Sequence, residues 1–144
     1  MTVIIWIEKP LAIATHERQL AEHGGSAGVR DDSRLDSALA RPQQGHAHDD
    51  PPPDLADLAA SLAFGLARNH PFVDGNKRTV AVFCETFVLL NGGTLDADDL
   101  ELYPRYLALA EGSLAEAEFA AWLRQHIKLD DKKRVNEPRK RCAC

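Results

Sequence analysis

Two apolar helical patterns, separated by a turn of only six residues, constrain the fold of this chain more than any other feature. The first begins after Asp54, a good N-cap, and carries one stripe of leucines: Leu55, Leu58, Leu62 and Leu66. We expect this helix to run to about Asn69. The second begins near Asn76, ends at Asn91-Gly92-Gly93 and has an apolar face made of Val80, Phe83, Phe87 and Leu90. The turn 70–75 is therefore predicted to lie between two packed helices.

The N-terminal third of the sequence predicts an extended segment and two further helices. Residues 3–7 are rich in β-branched and aromatic side chains, which is typical of a short strand or an extended segment that covers the core. Helical patterns follow over residues 10–22, with a proline in the first turn, and over residues 33–40, bounded by Pro42. Residues 43–53 contain a glycine, two histidines, two aspartates and three prolines, so we expect a loop or a hairpin there.

The C-terminal third predicts two more helices and a tail. Residues 96–111 have a helical pattern that we expect to be interrupted or restarted at Pro104, which lacks a backbone donor. Ser113 with Glu116 forms a capping-box signature for a last helix that carries Phe119, Trp122, Leu123 and Ile127. Residues 129–144 are polar and charged, which predicts a disordered basic tail.

The length of 144 residues predicts one domain, which the polar tail limits to residues 1–128. The net charge of -5 argues against a general nucleic-acid binder. No apolar stretch approaches the roughly 20 residues that span a bilayer, and the start lacks the features of a signal peptide, so we expect a cytoplasmic protein. Cys84 lies in a helical pattern, whereas Cys142 and Cys144 lie in the polar tail, where free thiols are expected rather than a metal site.

The start of the second helix has the chemistry of an anion site. A helix N-terminus offers unpaired N–H groups and the positive end of a dipole, and Gly75 lets a ligand approach the backbone. Lys77 and Arg78 follow in the first turn, where cations oppose the helix dipole. Their presence indicates that an anion is bound there.

Two residues of the same turn add a metal ligand and a base. Asp74 supplies a hard oxygen ligand, suited to a Mg²⁺ ion that is bound partly through substrate phosphates. His70 is suited to removing a proton from an attacking hydroxyl near neutral pH. The combination predicts nucleophilic attack on a nucleotide phosphate.

Each of these residues has a simpler interpretation when it is taken alone. His70 could be a helix cap, Asp74-Gly75 an ordinary turn pair, and Lys77 with Arg78 a solvated face. Phe72 is expected to anchor the loop in the core. Only the ordered set favours the catalytic interpretation over these alternatives.

The run His70-Pro71-Phe72-Val73-Asp74-Gly75-Asn76-Lys77-Arg78 resembles the signature of the Fic/Doc (Fido) family. The segments 24–28 and 35–42 and the last helix resemble death-on-curing (Doc) toxins, so that the resemblance covers about residues 6–128. It implies an all-α fold of about six helices with a small β-hairpin flap, which would fall within residues 43–53. A target segment could dock on such a flap by strand addition.

The resemblance also implies a role for each signature residue. By that similarity, His70 is the catalytic base and Asp74 holds Mg²⁺. The phosphates of ATP, the co-substrate, would be bound by Gly75, Asn76, Lys77 and Arg78.

Lys77 and Gly75 point to different reactions within the family. Fic adenylyltransferases typically carry glycine at the position of Lys77, whereas the Doc kinase toxin carries lysine, which changes the space and charge around the phosphates. Gly75, however, departs from the alanine of Doc and matches the Fic pattern. We therefore expect a kinase, with AMP transfer as the alternative.

Partners follow from the same resemblance. Many Fic proteins carry an inhibitory helix, but its nearest candidate here, Glu111-Gly112, has Leu107 where a hydroxyl is required. A separate Phd-like antitoxin is therefore expected, with DNA contacted only indirectly through it, and elongation factor Tu is the implied target. A non-catalytic, antitoxin-binding co-regulator is the second alternative.

Two weaker signals favour solvated segments. His46, His48, Asp49 and Asp50 have ligand-like side chains, but a single loop without a second ligand cluster is a weak metal site. The basic runs of the tail, 132–134 and 139–141, could touch nucleic acid, although such tails are usually only solvated.

Overall fold

The computed structural model describes residues 3–129, apart from the side chain of Lys77. These residues form six helices and two short strands: α1 (Lys9–His23), α2 (Asp32–His48), α3 (Leu55–Asn69), α4 (Asn76–Leu90), β1 (Gly93–Leu95), α5 (Asp99–Glu111), α6 (Glu116–His126) and β2 (Ile127–Leu129). The predicted all-α class is confirmed, as are the two helices on either side of the turn 70–75.

Helix α3 lies at the centre of the fold because small and branched apolar residues cover most of its surface. Its buried residues are Ala56, Leu58, Ala59, Ala60, Leu62, Ala63, Gly65, Leu66 and Ala67. Helices α2, α4, α5 and α6 all pack against it. Gly65 permits a close approach of α2, since a Cβ at this position would lie 3.2 Å from the Cα of Ala38. The turn 70–75 leaves from the end of this central helix, which makes its starting point rigid.

The start of α3 is tied to α6 through one arginine. Asp54 caps the helix by accepting a hydrogen bond from the backbone N–H of Asp57, and the N–H of Asp54 is bound in return by the Asp57 carboxylate. Arg124 of α6 reaches Asp54 Oδ2 at 2.7 Å and Asp57 Oδ1 at 2.8 Å. The hydrogen bond from Arg124 lowers the pKa of Asp54 to about 2, from its ordinary value of 3.8.

This pKa predicts how stability changes in acid. The Asp54 carboxylate is more acidic in the folded state, so its contribution is complete above pH 4 and is lost as the pH falls from about 4 to about 2. Because the Asp54 side chain is 51% exposed, we expect its contribution to the free energy of unfolding to be roughly 0.2–1 kcal/mol. Urea unfolding of Arg124→Gln between pH 2 and pH 5 should show a shallower pH dependence than the wild-type protein. Equal slopes for the two proteins would contradict this assignment.

The N-terminal segment is extended but pairs with a side chain rather than with a strand. The N–H of Ile5 donates to Asn91 Oδ1 at 2.8 Å, and Asn91 Nδ2 donates to the Ile5 carbonyl at 2.9 Å. Ile7 is buried, and Trp6 stacks on Phe87 with ring centroids 6.0 Å apart. Of the two predicted forms, the extended segment that covers the core is therefore the correct one.

The predicted loop over residues 43–53 is wrong for residues 43–48, which are helical, and the predicted hairpin flap does not form there. Helix α2 continues through Pro42 to His48, and no strand occurs between residues 43 and 53 of the described chain. The helix persists because Pro42 is buried together with Ala38 and Leu39 on the face that packs against α3, and this packing outweighs the missing N–H. Residues 49–54 then form a short irregular connection to α3.

The strands of the structure lie elsewhere: β1 lies between two predicted helices, and β2 contains residues predicted to be helical or part of the tail. Strands β1 and β2 form a two-stranded antiparallel sheet in which Gly93 pairs with Leu129 and Leu95 with Ile127. Ile127 therefore belongs to β2 and not to the last helix. The remainder of the predicted tail, residues 130–144, lies outside the described residues.

Two predicted helix boundaries also need correction. Helix α5 is continuous through Pro104 and begins at a capping box between Asp98 and Glu101, not at residue 96. Both Leu100, whose carbonyl lacks its usual donor, and Pro104 are exposed, so water can replace that donor. Before α6, the N–H of Ala115 is bound by Glu118, whereas Glu116 pairs with Arg41 of α2 at 2.7 Å. The predicted capping box of Ser113 with Glu116 is wrong because this long-range ion pair engages Glu116.

Within residues 3–129, no helix combines the length and the apolar character that crossing a membrane requires.

Candidate active site

His70 lies at the point where the chain leaves α3. It is the C-cap of that helix, with a left-handed backbone (φ 47°, ψ 60°), and its N–H donates to the carbonyl of Leu66 at 3.2 Å. Such a conformation is uncommon for residues other than glycine, although histidine adopts it more often than most. The sharp turn directs Pro71 and Phe72 into the core and leaves His70 exposed. The imidazole is therefore accessible to a macromolecular substrate.

The loop after His70 is held by backbone and side-chain hydrogen bonds on both sides. Asn76 binds the backbone of Phe72 twice, accepting from its N–H at 3.0 Å and donating to its carbonyl at 2.8 Å. On the other side, the N–H of Val73 donates to the carbonyl of Gly28 at 3.0 Å. Phe72 is 1% exposed and packs edge-to-face against Phe83. The loop thus has one defined conformation.

The carboxylate of Asp74 is exposed but oriented by two backbone donors. Its Oδ2 accepts from the N–H of Ser26 at 3.2 Å, and its Oδ1 accepts from the N–H of Gly75 at 2.8 Å. These bonds, first from Ser26 and then from Gly75, lower the pKa of Asp74, and the nearby charge of Arg78 acts in the same direction. Asp74 therefore stays ionised at neutral pH and has lone pairs left for a cation.

The segment that binds Asp74 depends on a glycine. Gly25 has φ +124°, and a Cβ there would lie 2.9 Å from Leu20 Cδ2 and 3.0 Å from Asp74 Oδ2. At neighbouring Gly24, φ is +85° and a Cβ would meet no atom within 4 Å. The two glycines therefore separate the effect of the clash from that of a positive φ.

We expect Gly25→Ala to destabilise the protein more than Gly24→Ala does. Both substitutions place a Cβ at positive φ, which typically costs on the order of 1 kcal/mol, but only Gly25→Ala also displaces Leu20 or the Asp74 carboxylate. Urea unfolding of the two variants measures the difference. Equal losses of stability in the two variants would show that Leu20 and Asp74 move away from the new Cβ without an energetic cost.

The N-terminus of α4 differs from those of α2, α3 and α5, although α1 also lacks a side-chain cap. Helices α2, α3 and α5 begin with an aspartate whose side chain binds the first-turn N–H groups, whereas α4 begins at Gly75 with no side-chain cap and no acidic residue in its first turn. Arg78, half-buried, has no carboxylate partner within ion-pair distance among the described residues. Unsatisfied N–H groups and a cation without a carboxylate partner make this end of α4 suited to an anion. Lys77 is the second residue of α4, and its side chain lies outside the described residues.

A small cavity of about 120 Å³ opens between α3, α4 and α5. It brings His70 and Asn76 together, and its other lining residues are Ala67, Val80, Tyr106, Leu107 and Ala110. A larger cleft of about 760 Å³, beside the end of α2 and the start of α6, shares none of these residues. Of the signature residues, His70 and Asn76 therefore line the small cavity, and none of residues 70–78 is among those that line the large cleft.

The comparisons with known proteins agree on one family. A sequence model of the Fic/DOC family matches residues 6–88, more than half of the chain. The Toxin Doc of Mycolicibacterium smegmatis is 51% identical over 75 residues, which are 52% of this chain and 58% of that relative. The Protein kinase doc of Escherichia phage P1 is 30% identical over 113 residues, which are 78% of this chain and 88% of that relative. The chain belongs to the Fic/Doc family.

Membership of the Fic/Doc family confirms the resemblance of the signature run, and the six described helices agree with its all-α Fido fold. The match to the mycobacterial Doc spans about 58% of that relative, and the match to the phage protein spans most of it. Both matches are to proteins named Doc, which agrees with the similarity noted outside the signature.

In this Fic/Doc chain, Asp74 fits a metal that is shared with a nucleotide. No group of three or more metal-ligating side chains occurs among the described residues, so the protein by itself offers no closed metal site there. Mg²⁺ commonly takes one or two carboxylates and completes its shell with phosphate oxygens and water. The exposed, ionised Asp74 next to the uncapped N-terminus of α4 fits that ligand set.

Sequence reasoning missed three residues that position the signature loop. Ser26 donates its N–H to the Asp74 carboxylate, and Gly25 lies beside it. His16 of α1 donates from Nε2 to the Asp74 carbonyl at 2.8 Å. His16 is 2% exposed and lies in one stripe with Ala12 and Leu20, at a spacing of four residues. A polar residue in an apolar helical stripe was the available signal.

Cys84 is no candidate nucleophile. It is fully buried in α4, and burial raises the pKa of its thiol to about 12, so the thiolate does not form at neutral pH.

Proposed function

We propose that this protein is a Doc-like toxin whose single domain, residues 1–128, transfers phosphate from ATP to a hydroxyl of a target protein. One observation carries the proposal: an exposed histidine, an oriented carboxylate and an uncapped helix N-terminus lie within nine consecutive residues. The name of the phage relative, a protein kinase, supports the type of reaction.

His70 acts as the base in this proposal. Its imidazole takes the proton of the target hydroxyl, and the hydroxyl oxygen forms a bond to the γ-phosphorus of ATP. The bond between that phosphorus and the bridging oxygen breaks, and ADP leaves. The exposure of His70 supports this role, because the hydroxyl must approach on a protein surface.

The phosphates bind at the start of α4. Backbone N–H groups from Asn76 onward and the side chains of Arg78 and Lys77 stabilise their negative charge, and Gly75 has no Cβ to hinder the approach of the phosphates. Asn76 contributes its backbone there, while its side chain holds the Phe72 backbone. Asp74 holds Mg²⁺, which when bound neutralises charge on the phosphates.

Phosphate transfer is favoured over AMP transfer by Lys77, which Doc kinases carry and Fic adenylyltransferases replace by glycine. Gly75 is the feature that keeps adenylyl transfer as the second candidate. In this second reaction the same His70 would activate the hydroxyl, but the α-phosphorus would be attacked.

If the protein is a Doc-like toxin, it needs two kinds of partner: an antitoxin that controls it and a protein that it modifies. Both named relatives are Doc proteins, one of them called a toxin. We therefore propose control by a Phd-like antitoxin, which would link the complex to DNA, and a cytoplasmic target such as elongation factor Tu.

The experiment is a comparison of two labels. The purified protein is incubated with Mg²⁺, a bacterial lysate and ATP labelled at either the α- or the γ-phosphate, in parallel with a reaction that contains EDTA. We expect label on a lysate protein from γ-labelled ATP only, and none with EDTA.

Each other result has a defined meaning. Transfer from α-labelled ATP would replace the kinase by an adenylyltransferase. No transfer from either label, by folded protein free of antitoxin, would favour the non-catalytic co-regulator.

A further inference from the structure

We propose that His16 is a positioning residue of this site: from behind the signature loop it fixes the peptide plane between Asp74 and Gly75, and so aims the Asp74 carboxylate. This inference rests on the proposed function for its catalytic consequence but not for its geometry.

His16 contacts the loop in two ways. Its ring stacks on Phe72 with centroids 3.9 Å apart and planes 11° from parallel. Its Nε2 lies 2.8 Å from the carbonyl oxygen of Asp74. Because a carbonyl oxygen can only accept, Nε2 must carry the proton of this bond. A 2% exposed imidazole without such an acceptor would be destabilising.

The peptide that His16 binds also touches the carboxylate. The carbonyl of this peptide unit belongs to Asp74 and accepts from His16, while its N–H belongs to Gly75 and donates to Asp74 Oδ1 at 2.8 Å. A rotation of the peptide plane would therefore break both hydrogen bonds together. The bond from α1 and the orientation of the carboxylate are coupled through one rigid unit.

Gly75 makes this external contact necessary. Its φ of 73° is accessible to glycine without strain, but glycine also populates many other backbone conformations. The N-terminus of α4 has no side-chain cap that could restrain it. His16, 3.8 Å from the position of a Cβ on Gly75, is the described side chain that binds this peptide from the core side.

The test compares two substitutions of His16. His16→Phe keeps the aromatic stack and the apolar volume but removes the donor, whereas His16→Gln keeps a donor near the position of Nε2. His23→Phe, the same change at an exposed site on α1, is the matched control. Thermal unfolding of each variant confirms that it is folded.

Two readouts distinguish positioning from simple packing. We expect His16→Phe to raise the Mg²⁺ concentration for half-maximal phosphate transfer roughly 10–100-fold, with His16→Gln and His23→Phe near the wild-type value. We also expect faster hydrogen exchange of the Gly75 amide in His16→Phe, measured by NMR without nucleotide.

The second readout separates this inference from the proposed function. Unchanged Gly75 exchange in His16→Phe, or a His16→Gln variant that behaves like His16→Phe, would overturn the role of His16. An inactive wild-type protein in which His16→Phe still accelerates Gly75 exchange would count against the phosphate transfer alone and would support the positioning role.

Discussion

Replacing His70 by alanine should reduce phosphate transfer roughly 10²–10⁴-fold, the usual contribution of a general base. The protein should stay folded, because His70 is exposed and no side-chain hydrogen bond of it occurs among the described residues. The measurement is the initial rate of transfer from γ-labelled ATP. His23→Ala, which removes an exposed histidine from α1, is the control and should keep the wild-type rate.

A second substitution of His70 separates catalysis from stability. His70→Gly also removes the base, but glycine adopts φ 47° without the cost that a Cβ imposes. We therefore expect His70→Gly to be as inactive as His70→Ala and more stable than it, by on the order of 1 kcal/mol in urea unfolding. An active His70→Gly variant would exclude His70 as the base. Equal stabilities would show that the left-handed conformation costs little here.

Replacing Asp74 by asparagine should lower transfer by roughly 10²-fold or more at physiological Mg²⁺, because a bound metal contributes several kcal/mol of charge stabilisation to such reactions. The pKa of Asp74 is below its ordinary value, so the wild-type residue is an ionised ligand throughout the neutral range. We expect excess Mg²⁺ or Mn²⁺ to restore part of the activity of the variant. The rate is measured as a function of metal concentration.

The control for Asp74→Asn must account for the orienting hydrogen bonds. An asparagine amide presents one acceptor and one donor group, so one of the two N–H groups, of Ser26 or of Gly75, would lose its partner. Thermal unfolding therefore accompanies the kinetics, with Asp36→Asn on α2 as a matched exposed carboxylate. A folded Asp74→Asn variant with a wild-type metal dependence would exclude Asp74 as the metal ligand.

The sequence predicted correctly the two helices whose apolar pattern contains no proline, α3 and α4. It was wrong where a proline lies within the helical pattern. Asp54, the leucine stripe and Asn76 located α3 and α4 correctly, since caps and apolar spacing are local signals. Pro42 and Pro104 predict helix breaks, yet both lie inside helices. Helix propensity is a weak term, and the burial of Pro42 against α3 outweighs it.

The two strands could not be predicted, because their pairing depends on distant residues. Gly93 pairs with Leu129, and Gly93 packs close to Ile127, with a Cβ position 3.2 Å from its Cγ2. Each strand has only three residues, too few for an alternating pattern to be distinguished from the end of a helix.

The candidate site also combines features that the local sequence determines with features that depend on tertiary contacts. The sequence alone determined which groups share one turn, because His70, Asp74, Gly75 and the start of α4 lie within nine residues and the flanking helices are specified locally. The tertiary structure decided how these groups are aimed: Ser26 and His16, which lie 48 and 58 residues before Asp74, orient its carboxylate and its peptide. Hydrogen bonds between groups so far apart in the chain form only after α1 has packed beside α4, and no local periodicity encodes that geometry.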